Sequence, residues 1–134
     1  MSILIKEPGD WKESWENFKP KELSCSHCQE LKINTALMNL LQKARNELGP
    51  IVVSSGYRCS EHNSHISKTG ENGPHTTGKA IDILVSNSQE RKRFIDYFTN
   101  KVTGLGIAKS FIHIDLLYEE DGPQFEIRPN SWVY

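Results

Sequence analysis

The sequence predicts an α+β domain, and three observations favour that class. Two segments, 35–48 and 89–99, repeat apolar residues at the three- and four-residue spacing of amphipathic helices. Two others, 79–85 and 111–117, are short, apolar and rich in isoleucine, as buried strands are. The order helix, strand, helix and then several strands that can pair antiparallel is typical of an α+β fold.

Length and composition favour a single domain over residues 1–134. The 134 residues are 37% hydrophobic and 25% charged, which supports one core and not two comfortable ones. A net charge of -1 gives no basic field for nucleic-acid binding. No run approaches the ~18 consecutive apolar residues of a transmembrane helix. We therefore expect neither nucleic acid nor membrane as a partner.

Residues 1–20 are predicted to be an N-terminal extension that docks on the core. Trp11, Trp15 and Phe18 recur at helical spacing and predict a helix over 11–18, which Pro20 ends. We favour burial of this aromatic stripe, because large aromatic side chains bury readily. A glycan-binding face is the alternative.

Two helices, several strands and one long loop are predicted after residue 20. Asn34 or Thr35 caps the first helix, and the segment 86–88 caps the second. The stretch 55–74 is polar, and loops longer than ~12 residues without structure of their own are usually functional or disordered, so we predict that it forms part of a site. The predicted strands cover residues 30–33, 51–54, 79–85, 104–107, 111–117 and 124–127, with an acidic turn at 119–122.

Three residues provide the ligand set of a catalytic zinc ion. His75 precedes a turn marked by Gly78, and Asp82 lies in the strand that follows. His113 and Asp115 alternate with isoleucines in a later strand, so both project from one face. A catalytic zinc site takes three nitrogen or oxygen ligands and leaves one position for water. The sequence therefore predicts one Zn²⁺ held by His75, Asp82 and His113.

Four motifs in the expected order resemble the zinc D-Ala-D-Ala carboxypeptidase family, which also contains phage L-alanyl-D-glutamate endopeptidases. The resemblance runs from about residue 18 to residue 115 and is to the short bacterial or phage type. It implies the hedgehog/DD-peptidase fold, with an antiparallel central sheet and helices packed on one side. The motifs are Ser55-Gly56-Tyr57-Arg58, Glu61-His62-Asn63, His-x-x-Gly-x-Ala-x-Asp at 75–82, and Phe111-Ile112-His113-Ile114-Asp115.

The resemblance also implies a function and residue roles. It implies a zinc metallopeptidase that hydrolyses bonds involving D-amino acids in the stem peptide of bacterial peptidoglycan, as a carboxypeptidase or an endolysin-type endopeptidase. We expect a monomer. Arg58 resembles the arginine that holds the developing oxyanion or a substrate carboxylate. Ser55, Tyr57 and His62 are predicted to bind substrate.

One position departs from the family pattern. Many members have Glu or Asp three residues before the last histidine, as the base that takes a proton from the zinc water, and here that position is Ser110. Asp115 is the best substitute, because it shares a strand face with His113. It can be that base or can orient His113, and both roles remain open.

Ser110 also supports a second class of function. A catalytically weak or inactive module can keep the zinc ion and bind cell wall or a protein partner, as a phage structural component does. The N-terminus lacks a basic segment followed by a long apolar one, so no signal peptide is visible. We expect a product of the bacterial cytoplasm that acts on the cell wall, with phage release or a virion as the favoured route.

Three cysteines are an odd number, which fits a reducing compartment better than a disulfide framework. Cys25 and Cys28 have the spacing of half a zinc ribbon, for which Cys59 and His62 or His65 are remote additional ligands. We favour the simpler interpretation of two ordinary cysteines in a turn.

Overall fold

The computed structural model describes residues 3–67 and 70–134, and within them the chain forms four α-helices and seven β-strands. The helices are α1 (Pro20–Leu23), α2 (Thr35–Leu48), α3 (Ser60–Ile66) and α4 (Ser88–Phe98). The strands are β1 (Leu4–Ile5), β2 (Ile33–Asn34), β3 (Val53–Ser55), β4 (Ala80–Leu84), β5 (Gly104–Ile107), β6 (Phe111–Asp115) and β7 (Asn130–Val133).

A five-stranded sheet organises the fold, in the order β3-β4-β6-β5-β7. Its first four strands pair antiparallel, whereas β7 pairs parallel to β5. The α+β class is confirmed. The predicted edge strand over 124–127 is wrong, because Gly122 and Pro123 lead into a 3₁₀ turn, Pro123–Phe125, that buries Phe125. The edge strand forms after it, over Asn130–Val133.

The two faces of the sheet differ in chemistry. Ile81 and Ile83 of β4 and Ile112 and Ile114 of β6 are fully buried and share the hydrophobic core with α2 and α4. Strand side chains alternate between faces. The opposite face of β4 and β6 therefore carries Asp82, His113 and Asp115, on the side away from the core that α2 and α4 form.

The two long helices match their predicted positions. Asn34 caps α2 by accepting a hydrogen bond from the Leu37 amide at 3.0 Å. Asn87 caps α4 by accepting from the Glu90 amide at 2.8 Å. Both caps satisfy amides that the first turn of a helix leaves without a partner. Helix α3 instead contacts the 3₁₀ turns that follow it, on the side of the polar face.

The predicted helix over 11–18 is wrong, although Trp15 and Phe18 are buried and Trp11 is half-buried. Successive turns replace it, with the Trp15 amide bonded to the Lys12 carbonyl and the Phe18 amide to the Trp15 carbonyl, both at 3.1 Å. The Trp15 indole N–H donates to Asn39 Oδ1 at 2.8 Å, so a tertiary contact fixes this side chain. Trp15 is 1% exposed, which favours core docking over a glycan-binding face. Pro20 begins α1 and does not end a helix.

The predicted long loop over 55–74 is partly helical. Cys59 Sγ accepts the His62 amide and starts α3. Two 3₁₀ turns follow, Gly70–Asn72 and Pro74–Thr77, and residues 68 and 69 of the predicted loop lie outside the described ranges. The predicted strands at 30–33 and 51–54 are displaced toward later residues as β2 and β3. None of the helices in the described ranges has the length and apolar character that a membrane crossing requires.

Candidate metal centre

Three elements bring the predicted ligands together. His75 lies in the 3₁₀ turn Pro74–Thr77, which Gly78 ends in the left-handed conformation with φ 79°. That conformation favours glycine and turns the chain into β4. Asp82 and His113 are directly paired in the antiparallel register of β4 and β6. The predicted turn-and-strand placement is therefore present.

The ligand atoms converge on one buried point. Asp82 Oδ1 lies 3.0 Å from His113 Nδ1 and 3.2 Å from His75 Nε2. The three side chains offer ligand atoms within 4.8 Å of one another. His75 is 4% exposed, Asp82 8% and His113 2%.

Hydrogen bonds at the far ring nitrogens fix both imidazole tautomers. His75 Nδ1 lies 2.8 Å from the Gly56 carbonyl oxygen, which can only accept, so this nitrogen carries the proton. His113 Nε2 lies 2.8 Å from Asp115 Oδ2 and donates to that carboxylate. The lone pairs of His75 Nε2 and His113 Nδ1 therefore face Asp82. Two imidazole nitrogens that converge on a buried carboxylate are suited to bind a cation, and this nitrogen and oxygen set fits Zn²⁺.

Asp115 is placed to orient His113. It is fully buried, and Arg128 donates to both its oxygens, from Nε at 3.1 Å and from Nη2 at 2.9 Å. Burial acts to raise the pKa of the Asp115 carboxyl, but hydrogen bonds from His113 and Arg128 outweigh burial and lower the pKa. A carboxylate held in this way supports an imidazole ligand and has no free oxygen for a substrate water. The geometry favours the orienting role over the base.

Two glycines make room for this arrangement. Gly104 of β5 is the register partner of Asp115, and a Cβ at Gly104 would collide with the Asp115 carboxylate. Gly106 faces the Trp132 indole in the same way. The Gly-x-Gly sequence of β5 thus serves close packing around the centre.

Arg58 borders the centre. Its Nη2 lies 3.5 Å from Asp82 Oδ2, and its backbone N–H donates to the His75 carbonyl at 3.1 Å. Burial lowers the pKa of the guanidinium, although the charge of Asp82 opposes that shift. The buried Arg58 Nε has no hydrogen-bond partner among the described residues. The side chain thus has donors left for a ligand.

The predicted substrate residues lie elsewhere. Ser55 and Tyr57 line a cavity of about 670 Å³. Arg58 lines both this cavity and a second one, a groove that lies over the metal ligands. His62 lies beside the cysteines, with Nε2 3.4 Å from Ser26 Oγ and its ring stacked on His27. Arg58 lies beside the candidate metal ligands, whereas Ser55, Tyr57 and His62 do not. Their role in substrate binding stays a prediction.

A groove of about 1130 Å³ lies over the metal ligands. Among the described residues that line it, Asp82 is the only carboxylate. Ser110 is exposed and is not part of its lining. The position that is acidic in many relatives therefore supplies no base here.

Sequence reasoning missed three side chains of the groove. Arg128 orients Asp115, and its guanidinium carbon lies 4.7 Å from the centre of the Trp132 ring. The Trp132 ring centre lies 5.2 Å from that of His113. Tyr134 also lines the groove, and burial raises the pKa of its phenol. The alternation of Trp132 and Tyr134 after Pro129 was the available signal for an edge strand facing the site.

Buried imidazole and carboxylate ligands at the floor of a groove are the arrangement of metal-dependent hydrolases. A family model described as Peptidase M15 matches residues 16–115, which include Arg58 and the three ligands. This chain belongs to the peptidase M15 family, and the resemblance seen in its motifs is confirmed. No curated protein and no solved structure matches the chain. Strand β7, with Trp132, lies beyond the matched segment.

Asp115→Asn is expected to weaken zinc affinity by roughly 10- to 100-fold, because the amide cannot hold His113 as a carboxylate does. Competition with a calibrated chelator measures this. Asp96→Asn, on the exposed surface of α4, is the matched control. Activity at saturating zinc separates the two roles: a base would cost on the order of 10²-fold in rate with zinc still bound. Unchanged zinc affinity in Asp115→Asn would contradict the orienting role.

The two imidazoles predict a pH dependence for the chelator-treated protein. Burial lowers the pKa of His75, whereas at His113 hydrogen bonds that the ring donates to Asp115 and Asp82 outweigh burial and raise the pKa above 6.5. A raised pKa in the folded state stabilises the protein below the unfolded value, and that stability is lost as pH rises through the folded value. Thermal unfolding temperature should therefore fall more steeply above pH ~6.5 without zinc than with zinc, since the metal replaces the proton. Equal slopes in both forms would contradict protonation of His113.

Proposed function

We propose that this chain is a zinc-dependent peptidase that hydrolyses a bond involving a D-amino acid in the stem peptide of bacterial peptidoglycan. The observation that carries the proposal is the convergence of His75 Nε2, His113 Nδ1 and Asp82 beneath a groove. Membership of a peptidase family supports the reaction class. The choice of substrate rests on the resemblance of the motifs to cell-wall peptidases.

The groove suits a short peptide. Its volume of about 1130 Å³ is slightly above the ~1,000 Å³ upper end of ligand sites. Phe111, Phe125 and Trp132 supply apolar wall, and Arg58 and Arg128 supply positive charge. Stem peptides combine small aliphatic side chains with carboxylates, and this lining complements both.

The side chains divide the chemical work. His75, Asp82 and His113 would hold the zinc ion, which supplies a water of lowered pKa and polarises the scissile carbonyl. Arg58 has N–H groups that do not contact Asp82. We propose that these N–H groups bind the developing oxyanion or a substrate carboxylate. Arg128 and Asp115 keep His113 in its binding tautomer.

One observation favours a second candidate function. A hydrolase of this kind needs a group that accepts the proton of the water, and Asp82 is the only carboxylate among the described lining residues. A module that retains zinc and binds the stem peptide or a protein without cleavage needs no such group. The alternative is therefore a catalytically weak or inactive binding module, as in a phage structural component.

Defined stem peptides distinguish the two functions and identify the scissile bond. We expect the zinc-loaded protein to cleave synthetic stem peptides that end in D-Ala-D-Ala or contain the L-Ala-D-Glu bond, with the products identified by mass spectrometry. The same peptides with L-residues at the D positions are the control. Binding measured by calorimetry without any product would support the binding module instead. Neither binding nor cleavage would contradict the proposed substrate class.

A further inference from the structure

A second cluster of metal-ligand side chains lies about the three cysteines. Cys25 and Cys28 lie in the turn after α1, and Cys59 caps the start of α3. Their sulfur atoms all lie within 4.8 Å of one another, and Cys25 Sγ and Cys59 Sγ are 3.8 Å apart with both thiols free. The fold thus brings Cys59 close to Cys25 and Cys28, which precede it in the sequence by 31 residues or more.

Backbone amides surround the Cys25 sulfur. The Cys59 N–H donates to it at 3.4 Å. Burial acts to raise the pKa of the Cys25 thiol, but the nearby amides of Cys59, Cys28 and His27 outweigh burial and lower that pKa. Amide donors of this kind stabilise a thiolate, which is the form that binds metal. The arrangement is the one expected of a ligand sulfur.

The turn is held in a conformation that a non-glycine residue rarely adopts. Gln29 has φ 62°, in the left-handed region. Its amide donates to the Cys25 carbonyl, and the Cys25 amide donates to the Glu30 carbonyl, both at 2.8 Å. A non-glycine residue keeps the left-handed conformation only where the surrounding structure holds it there. Residues of this kind are frequent at ligand sites. The closed turn brings Cys25 and Cys28 to the same side of the chain.

His62, three residues after Cys59 in α3, is the candidate for the fourth position. The ligand atoms within 4.8 Å of one another are the three sulfurs and not its imidazole, so the ring would have to turn to reach the ion. Cys59 and His62 stand three residues apart, as Cys25 and Cys28 do. His62 Nε2 lies 3.4 Å from Ser26 Oγ, between the first two cysteines in sequence. Structural zinc sites are tetrahedral, and three cysteines with one histidine are a common ligand set.

We propose that Cys25, Cys28, Cys59 and His62 bind a structural zinc ion that is separate from the candidate metal centre. The proposal is an alternative to the interpretation of Cys25 and Cys28 as ordinary cysteines in a turn. It would tie the turn after α1 to the segment that ends in Cys59. That segment contains Arg58 and the Gly56 carbonyl that fixes His75.

Backbone packing supports a structural role in which the zinc ion holds these two segments together. The Tyr57 amide donates to the Leu23 carbonyl at 2.8 Å. A Cβ at Gly56 would collide with the Leu23 backbone, so the two segments already lie in close contact. Leu23 and Gly56 lie shortly before Cys25 and Cys59 in the two segments. A zinc ion bound by both cysteines would therefore stabilise the contact between Leu23 and Gly56.

The test begins with the full chain carrying His75→Ala and His113→Ala, prepared under reducing conditions. We expect it to retain about one equivalent of zinc, against about two in the unchanged protein. Adding Cys28→Ser should remove that equivalent, and His62→Ala should weaken its binding. His65→Ala, an exposed histidine of the same helix, is the matched control for His62→Ala.

Cobalt substitution keeps the test decisive if a cysteine variant fails to fold. The two-histidine variant, with all cysteines intact, should show the near-ultraviolet charge-transfer absorption of thiolate bound to Co²⁺. Absence of that absorption in folded, reduced protein would overturn the proposal, as would an isolated Cys25–Cys59 disulfide that persists under reducing conditions. Failure of peptide hydrolysis has no bearing on this absorption, so the two proposals fail independently.

Discussion

His113→Ala is expected to remove the zinc ion of the candidate metal centre and to reduce stem-peptide hydrolysis to the uncatalysed rate. His113 provides one of the two lone pairs that face Asp82, and it is also the contact through which Asp115 and Arg128 act on the centre. Two remaining ligands cannot hold a catalytic zinc ion tightly or fix its open position. Metal content by mass spectrometry and product release on one protein sample measure both effects.

His65→Ala is the control for His113→Ala, because it removes an imidazole from the exposed surface of α3. Only the zinc ion of the centre should be lost in His113→Ala, with any zinc at the cysteines retained. Undiminished hydrolysis by His113→Ala would show that the reaction does not use this centre.

Arg58→Lys is expected to lower kcat by on the order of 10²-fold, while zinc content stays unchanged. Arginine presents a planar fork of donors, and a lysine ammonium is a point charge that cannot reproduce it. Arg58 Nη2 already contacts Asp82 at 3.5 Å, so the remaining donors are held in a fixed direction toward the groove. Steady-state kinetics with zinc in excess measure the loss.

Arg93→Lys is the matched control for Arg58→Lys, since Arg93 lies on α4, where its Nη2 donates to the Leu48 carbonyl. Loss of zinc from Arg58→Lys would assign Arg58 a structural role beside Asp82. A rise in KM with kcat unchanged would instead assign it to ground-state binding of a substrate carboxylate.

Local patterns were sufficient to predict that His75, Asp82 and His113 come together. Asp82 and His113 lie in strands whose alternation with isoleucine is unambiguous, and Gly78 marks the turn that returns His75 to them. The positions of α2 and α4 were predictable for the same reason, because an asparagine cap and an apolar face are both features of the local sequence. Residues whose partners lie close in the chain, or that alternate strictly, are open to prediction of this kind.

Contacts between distant segments were not predictable in this way. Arg128 reaches Asp115 from a segment whose local pattern suggested a strand six residues too early, over 124–127 instead of Asn130–Val133. Cys59 meets Cys25 only because Gly56 allows close packing against Leu23. The aromatic residues from Trp11 to Phe18 have helical spacing, but two indole hydrogen bonds stabilise turns instead. Trp11 donates to the Phe18 carbonyl within the segment, and Trp15 donates to Asn39 of α2.

Release of new amino groups from purified peptidoglycan is the most direct test of the proposed function. The protein should release them when loaded with zinc, lose the activity after chelation, and recover it when zinc is returned. His75→Ala, treated in parallel with the same zinc, should remain inactive at each step. Release that is unaffected by the chelator and equal in His75→Ala would contradict a zinc peptidase built on His75, Asp82 and His113.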